Sequence, residues 1–192
     1  MLRSRVLESL TRTHPSTPVM VYLPVVVALT AYGFSRVPLL VALGLSAAGY
    51  AAWTLLEYWG HRLAFHREPR STRGRQVHWR LHGVHHDHPD DAQRLVIPPA
   101  GSLPVLALPL AALWPAIGGA AWTCVGAGFI AGYLAYDLTH VWLHRGRPRG
   151  PFGRRMRRRH LRHHARDGRA GFGVSAPYWD RVFGTSPSRV RG

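Results

Sequence analysis

The sequence predicts an all-α membrane protein, in which four transmembrane helices form two hairpins below a helical, histidine-rich cap. Three observations predict this fold class. Long uncharged runs alternate with segments rich in arginine and histidine along the 192 residues. The uncharged runs have the lengths that one or two membrane-crossing helices require. Four crossings bring nearly all of the arginines and histidines to one side of the membrane, which is the bias expected of a cytoplasmic face.

The first hairpin is predicted from two uncharged runs that meet at Arg36. Residues 19–34 carry no charge, and residues 37–56 form a second uncharged run of 20 residues. About 20 apolar residues are enough for one helix to cross the hydrocarbon core. We therefore expect membrane spans at about residues 19–35 and 37–60, joined by a very short turn.

The second hairpin is predicted from residues 95–136, which are 42 residues without a charge. A single helix of that length would reach about 63 Å, roughly twice the thickness of the bilayer core. The sequence Trp-Pro-Ala-Ile-Gly-Gly at 114–119 contains turn-forming residues and divides the run. We expect spans at about residues 98–115 and 120–143.

The charge distribution predicts on which side the cap lies. The chain has 25 arginines, no lysine and a formal net charge of +16. All arginines except Arg36 lie in residues 1–18, 61–97 and 145–192. The positive-inside rule places these segments in the cytoplasm, as expected for a multi-pass protein of a bacterial inner membrane. We predict a single domain over residues 1–192, with the cap formed by residues 61–97 and 145–192.

The basic run at residues 154–159 predicts an anionic partner. Such a run can bind nucleic acid, or it can bind anionic lipid head groups when it lies next to a membrane span. The four predicted spans argue against a nucleic-acid-binding protein. We expect anionic membrane lipids as the partner, although a merely solvated basic face would have the same sequence.

Ten of the 13 histidines fall into four spaced groups. His82, His85 and His86 stand at i, i+3 and i+4, which places three side chains on one helix face. Residues 160–164 repeat that spacing. Converging imidazoles are typical of a metal site rather than of core packing. The ten candidate metal ligands are His61, His66, His82, His85, His86, His140, His144, His160, His163 and His164.

The other two groups lie at the ends of predicted spans. His140 and His144 are four residues apart and share a helix face. His61 and His66 are five residues apart, or about 140° on an ideal helix. These two side chains share a face only if the helix ends or distorts between them.

Ten imidazoles are enough for two metal ions with about five ligands each. Imidazole binds iron, zinc, copper and nickel, so the ligand type alone does not choose the metal. The single cysteine, Cys124, lies in an apolar run and predicts no cysteine-based zinc site. We expect the triplets at 82–86 and 160–164 to face each other across the centre, with His78 and His88 outside it.

Two carboxylates stand close to the span-end histidines. Glu57 precedes His61 by four residues, and Asp137 precedes His140 by three. Metal-bound imidazoles usually donate their second N–H to an acceptor. We expect Glu57 and Asp137 to accept these hydrogen bonds and to supply negative charge beside the ions.

The order and spacing of these motifs resemble the fatty acid hydroxylase/sterol desaturase superfamily, and within it the fatty acid 2-hydroxylases. The resemblance covers about residues 50–185. The stretches that carry it are Glu-Tyr-Trp-Gly-His at 57–61, His-Gly-Val-His-His at 82–86, Arg-Leu-Val-Ile-Pro-Pro at 94–99, Gly-Tyr-Leu-Ala-Tyr-Asp-Leu-Thr-His at 132–140 and Gly-Phe-Gly-Val-Ser at 171–175.

The resemblance implies a membrane-bound, non-haem di-iron oxygenase that uses O₂ and two electrons to hydroxylate a lipid acyl chain, at the 2-position of a fatty acid or sphingolipid. It implies the ten histidines as ligands of two metal ions, with iron expected and zinc able to replace it during purification. Eukaryotic members often carry a cytochrome b5 domain, which the 18 polar residues at the start cannot hold. We therefore expect a separate electron donor, either cytochrome b5-like, a ferredoxin or a reductase.

Two alternatives stay open from the sequence. The chain could be a sterol or carotenoid hydroxylase, or a desaturase, of the same superfamily. It could also be a membrane protein that binds metal or lipid without catalysis. For a lipid enzyme, we expect aromatic side chains near the site to line the path of the lipid tail, namely Tyr58, Trp59, Tyr136 and Trp142.

Overall fold

The computed structural model describes residues 12–165 and 168–187, and within these ranges the chain is helical with no strand. The predicted all-α fold class is confirmed. The first 11 residues and the last five, at 188–192, belong to predicted polar segments and lie outside the described ranges. The α-helices are α1 (Thr17–Phe34), α2 (Leu39–Trp59), α3 (Thr72–His78), α4 (Val84–Asp87), α5 (Pro99–Ile117), α6 (Gly119–Arg145), α7 (Pro151–Ala165) and α8 (Tyr178–Val182).

Three helical segments in the described ranges are long and apolar enough to cross a membrane: Thr17–Phe34, Leu39–Phe65 and Ala92–Ile117. The chain is therefore a multi-pass membrane protein. The fourth predicted span corresponds to α6, which is not one of these three, so the count of four crossings stays a prediction. Fourteen of the 27 residues of α6 are buried, against three of 18 in α1. A helix enclosed by its neighbours has less need of an apolar, lipid-facing surface, which explains its weaker membrane signal.

α6 is the central helix. Both α1 and α2 pack along it, whereas these two helices of the first hairpin touch each other little. Two glycines allow the closest of these contacts. A Cβ at Gly128 would lie 1.8 Å from the carbonyl oxygen of Ser46, and a Cβ at Gly49 would lie 2.1 Å from that of Val125. The backbones of α2 and α6 therefore touch, and both helices run side by side toward the cap.

An aromatic cluster holds α1, α2 and α6 together. The ring of Trp53 lies 5.4 Å from that of Phe129 and 5.2 Å from that of Tyr133, in edge-to-face contacts. Tyr22 of α1 makes a third such contact with Tyr133, at 5.2 Å. All four rings are buried, and pairs of this kind add to the free energy gained from apolar burial. The cluster fixes the helix ends from which the first cap histidines project.

Candidate metal centre

A π-helical segment explains the five-residue spacing at the end of α2. The helix continues from Trp59 into a π-helix at Gly60–Phe65. Hydrogen bonds in a π-helix join residues five apart, so side chains at that spacing come to one face. The Nε2 atoms of His61 and His66 accordingly lie 3.1 Å apart. A distortion at this point was one of the two conditions that the sequence left open.

The ten predicted histidines form two groups of five. Within each group the nitrogen atoms that could bind a metal lie within 4.8 Å of one another. Each group combines side chains from the helix ends with side chains from the cap. The first histidine group is His61, His66, His82, His86 and His163, and the second histidine group is His85, His140, His144, His160 and His164.

The two histidine triplets lie against each other, as the sequence led us to expect. The rings of His86 and His164 stack at 4.1 Å, and those of His85 and His164 lie 4.7 Å apart. Each triplet is divided between the groups, because His85 belongs to the second group and its neighbour His86 to the first. His88 is exposed and belongs to neither group.

Backbone carbonyl groups orient three of the imidazoles. The Nδ1 atom of His61 lies 2.7 Å from the carbonyl oxygen of Phe172, and that of His163 lies 2.7 Å from the carbonyl of Ala170. In the second group, Nδ1 of His140 lies 2.7 Å from the carbonyl oxygen of Leu95. A carbonyl oxygen only accepts hydrogen bonds, so each Nδ1 carries the proton. The Nε2 lone pair of each ring is then directed into its group.

The hydrogen bonds expected from Glu57 and Asp137 are not the ones found. Carbonyl oxygens take the Nδ1 protons of His61 and His140 instead. The oxygens of Glu57 accept from the backbone N–H groups of Val174 at 2.7 Å and Ser175 at 2.8 Å, and from the hydroxyl of Ser175. The π-helical turn after Glu57 changes the helical register on which the expected contact depended. Asp137 is fully buried in α6.

Asp180 is a buried residue beside the site that the sequence analysis did not single out. Its side chain is fully buried and accepts from the N–H groups of Phe172 at 2.9 Å and Gly173 at 3.1 Å. It also accepts from the guanidinium of Arg159 at 3.0 Å and from the hydroxyl of Thr185 at 2.9 Å. Asp180 and Glu57 thus hold residues 170–175, whose carbonyls orient two imidazoles of the first group. The one sequence signal that pointed to Asp180 is that acidic residues are rare in this chain, which has nine in all.

Burial favours the neutral form of the cap imidazoles. Burial, together with the neighbouring rings of His163 and His86, lowers the pKa of His66 to about 3. Burial and the ring of His163 lower the pKa of His86 to about 3 as well. The pKa values of His82 and His164 are lowered in the same way, first by burial and then by other imidazoles. Neutral rings offer lone pairs, which is the state that a metal ion requires.

The donor atoms fit metal ions. Both ring nitrogens of His85 and His164 are buried without a hydrogen-bond partner among the described residues. Such groups are costly to bury unless something binds them. The Nε2 atoms of His82 and His86 are 2.9 Å apart, and those of His144 and His160 are 2.8 Å apart. Two nitrogens bound to one ion at about 2.1 Å and at a right angle are about 3.0 Å apart. Both groups therefore could hold a metal ion.

A cavity of about 520 Å³ reaches both histidine groups from the cap side. Its lining includes His66, His82, His86 and His163 of the first group, and His164 of the second. Phe65 and Trp79 supply apolar walls, while Arg75 and Glu68 supply charge. Two of the aromatic residues expected along a lipid path, Tyr58 and Tyr136, are buried and do not line this cavity, although Tyr136 stacks on His140 at 5.9 Å.

Comparisons with known proteins agree with this architecture. The family model described as fatty acid hydroxylase matches residues 46–185. The dihydroceramide fatty acyl 2-hydroxylase FAH2 of Arabidopsis thaliana is 38% identical over 182 residues, which are 94% of this chain and 76% of that protein. The ceramide very long chain fatty acid hydroxylase SCS7 of Saccharomyces cerevisiae is 38% identical over 183 residues, or 93% of this chain and 47% of that protein. The fatty acid 2-hydroxylase of Rattus norvegicus is 38% identical over 152 residues, or 78% and 41% respectively.

A solved structure extends the comparison to three dimensions. Full-length scs7p, in which only the hydroxylase domain is visible, superposes with a TM-score of 0.90 at 36% sequence identity. The match covers 97% of this chain and 72% of that one. The resemblance drawn from the histidine motifs is confirmed. The chain therefore belongs to the fatty acid hydroxylase family and is an oxidoreductase of the hydroxylase class.

Proposed function

We propose that the chain hydroxylates a lipid acyl chain at carbon 2, on a fatty acid or a sphingolipid. The observation that carries the proposal is the pair of five-histidine groups, which lie side by side and share one cavity. Relatives whose names specify fatty acid or dihydroceramide 2-hydroxylation support the position and the substrate class. The balanced reaction converts the lipid, O₂, two electrons and two protons into the hydroxylated lipid and water.

We propose the ten histidines as the ligands of two ions, one in each group. Iron is the expected metal, since hydroxylation by O₂ requires a redox-active ion, and zinc can replace it during purification. Bound iron would supply the dioxygen chemistry. The neutral imidazoles leave the positive charge of the ions to be balanced. Glu57, Asp137 and Asp180 are the buried carboxylates among the described residues, and we propose that they supply the balancing negative charge.

The chain's own residues position the ligands and separate the reaction from water. Glu57 and Asp180 hold residues 170–175, and the carbonyls of that segment set the tautomers of His61 and His163. On the helical side, the buried ring of Tyr136 packs beside Trp53 and stacks on His140 at 5.9 Å. The reacting carbon must approach both groups, and the 520 Å³ cavity is lined by members of both. Phe65 and Trp79 would contact the apolar part of the substrate there.

The arginine distribution supports a cytoplasmic active site at a bacterial inner membrane. The reaction consumes two electrons for each turnover, and we propose a cytochrome b5-like protein, a ferredoxin or a reductase as their source. Anionic membrane lipids would contact the arginine-rich cap.

Untargeted lipid mass spectrometry tests the proposed reaction. The chain is expressed in a host that supplies sphingolipids and an electron donor, beside a His86→Ala variant and a His88→Ala control. The wild type and the control should add 16 Da to acyl chains, with fragmentation placing the oxygen on carbon 2, and His86→Ala should add none. An unchanged lipid profile from wild-type protein, with two metal ions per chain and reductant verified, would reject the proposal. A loss of 2 Da would instead identify a desaturase.

A further inference from the structure

A second cavity, of about 510 Å³, lies at the connection between α6 and α7. Five arginines line it: Arg147, Arg149, Arg154, Arg157 and Arg158. No acidic residue and none of the ten metal-centre histidines belongs to its lining. The cavity is therefore a concentrated positive site that the proposed reaction does not use.

Two hydrogen bonds shape this cavity. The Nε atom of Arg157 donates to the carbonyl oxygen of Leu143 at 3.0 Å, which joins α7 to the last turns of α6. Arg154 donates to the carbonyl oxygen of Arg149 and joins α7 to the connecting loop. The ion pairs of the described chain involve other arginines, such as Arg159. The cavity thus collects five positive charges without an internal counter-charge.

The cavity adjoins an exposed apolar stripe on α6. Leu138 and Trp142 are one helical turn apart, and the two residues are 50% and 41% exposed. The ring of Trp142 packs against Gly146 and Gly153, where added Cβ atoms would lie 2.6 Å and 2.7 Å from it. The exposed stripe therefore leads directly to the wall of the arginine cavity. Tryptophan at the end of an apolar helix is typical of the membrane interface.

We propose that the arginine cavity binds the phosphate of an anionic membrane phospholipid, whose acyl chain lies along Leu138 and Trp142. Guanidinium groups match phosphate oxygens in paired hydrogen bonds, which makes arginine well suited to this ligand. A free phosphate would satisfy the arginines equally, but it would leave the adjoining apolar stripe without a role. The site is separate from the metal centre and does not depend on the proposed reaction.

Native mass spectrometry of the metal-loaded full chain in detergent tests the site by counting bound lipids during a titration with phosphatidylglycerol. The test variant is Arg154→Gln/Arg158→Gln. The control is Arg155→Gln/Arg181→Gln, which removes the same charge from exposed arginines that line a neighbouring cavity. We expect one tightly bound phosphatidylglycerol, a loss of affinity of at least about tenfold in the test variant and less than about twofold in the control. Metal content and the thermal midpoint should be equal in all three proteins.

Four outcomes would overturn the proposal. The control could lose as much affinity as the test variant, which would indicate diffuse attraction. Phosphatidylcholine could bind as tightly as phosphatidylglycerol. Millimolar inorganic phosphate could displace the lipid, which would indicate a site for free phosphate. Finally, the test variant could bind phosphatidylglycerol normally but accept electrons more slowly from an acidic carrier, which would indicate a docking surface for protein.

Discussion

The two histidine groups differ in what holds their rings. In the first group, the carbonyls of Phe172 and Ala170 orient two imidazoles, and buried carboxylates hold those carbonyls in turn. In the second group, the carbonyl of Leu95 orients His140, and His144 has a backbone hydrogen bond with Pro89. Both ring nitrogens of His85 and His164, and Nδ1 of His160, are buried without a hydrogen-bond partner in the described chain.

This difference indicates that buried carboxylates support the first group, whereas the second group would depend more on a bound ion to satisfy its imidazole nitrogens. Each buried polar atom without a partner costs on the order of 1–3 kcal/mol. Coordination of His85 and His164 would remove much of that cost. The first ion should therefore depend on the 170–175 segment, whereas the second ion should contribute more to keeping its own ligands in place.

Removing both ions should have the largest effect. An ion present at 1,000 times its Kd stabilises the folded state by about 4 kcal/mol, so a chelator should lower the thermal midpoint of unfolding markedly. Differential scanning fluorimetry in detergent measures the midpoint before and after chelation, and re-addition of iron or zinc is the control. A midpoint that chelation does not move would contradict an ion-dependent structure.

Single ligand substitutions should separate the two groups. His61→Ala removes a ligand of the first group, and His85→Ala removes one of the second. Each should lose one of two ions and at least about 100-fold in turnover, since both ions serve one reaction. Elemental analysis beside product formation measures both effects. If either substitution released both ions, the groups would be one cooperative site and the comparison would fail.

Asp180→Asn should selectively lower the affinity of the first histidine group for its metal ion. The neutral amide accepts weaker hydrogen bonds from the N–H groups of Phe172 and Gly173. The carbonyl groups that orient His61 and His163 are then held less rigidly. Loss of such an outer contact typically lowers metal affinity about 10- to 100-fold. Competition with a metal-binding dye reports the two affinities in one titration.

The matched control for that substitution is Asp90→Asn, at an exposed carboxylate outside the network. It should leave both affinities unchanged. Glu57→Gln is the companion change, because Glu57 holds the same segment at Val174 and Ser175, and it should also act on the first ion. If Asp180→Asn and Glu57→Gln lowered the metal affinity of both groups equally, these carboxylates would not support the first group alone.

His78→Gln should have the smallest effect. His78 lines the 520 Å³ cavity, but it belongs to neither histidine group. Both ions should be retained at full occupancy, and turnover should change less than about threefold. Steady-state product formation and elemental analysis check this expectation. The loss of either ion would add His78 to the ligand set.

Local patterns were enough to predict much of the molecule. The four long helices begin and end within two residues of the expected spans, because charge and turn residues mark their ends. The i, i+3, i+4 spacing identified both triplets, since a helix converts that spacing into proximity. The predicted hydrogen bond between Glu57 and His61 was wrong, because it depended on the local helix geometry. It assumed a regular α-helix through His61, whereas the chain there is π-helical.

The amino-acid order thus specified an all-helical membrane protein, its ten clustered histidines and its family, because helical periodicity and apolar length are properties of neighbouring residues. The division of each triplet between two groups depends instead on how the helix ends and the cap meet. The same holds for the partners of the imidazoles. Phe172 lies 111 positions from His61, and Val174 lies 117 positions from Glu57. No local spacing encodes these pairs; packing of α2, α6 and the C-terminal segment brings them together.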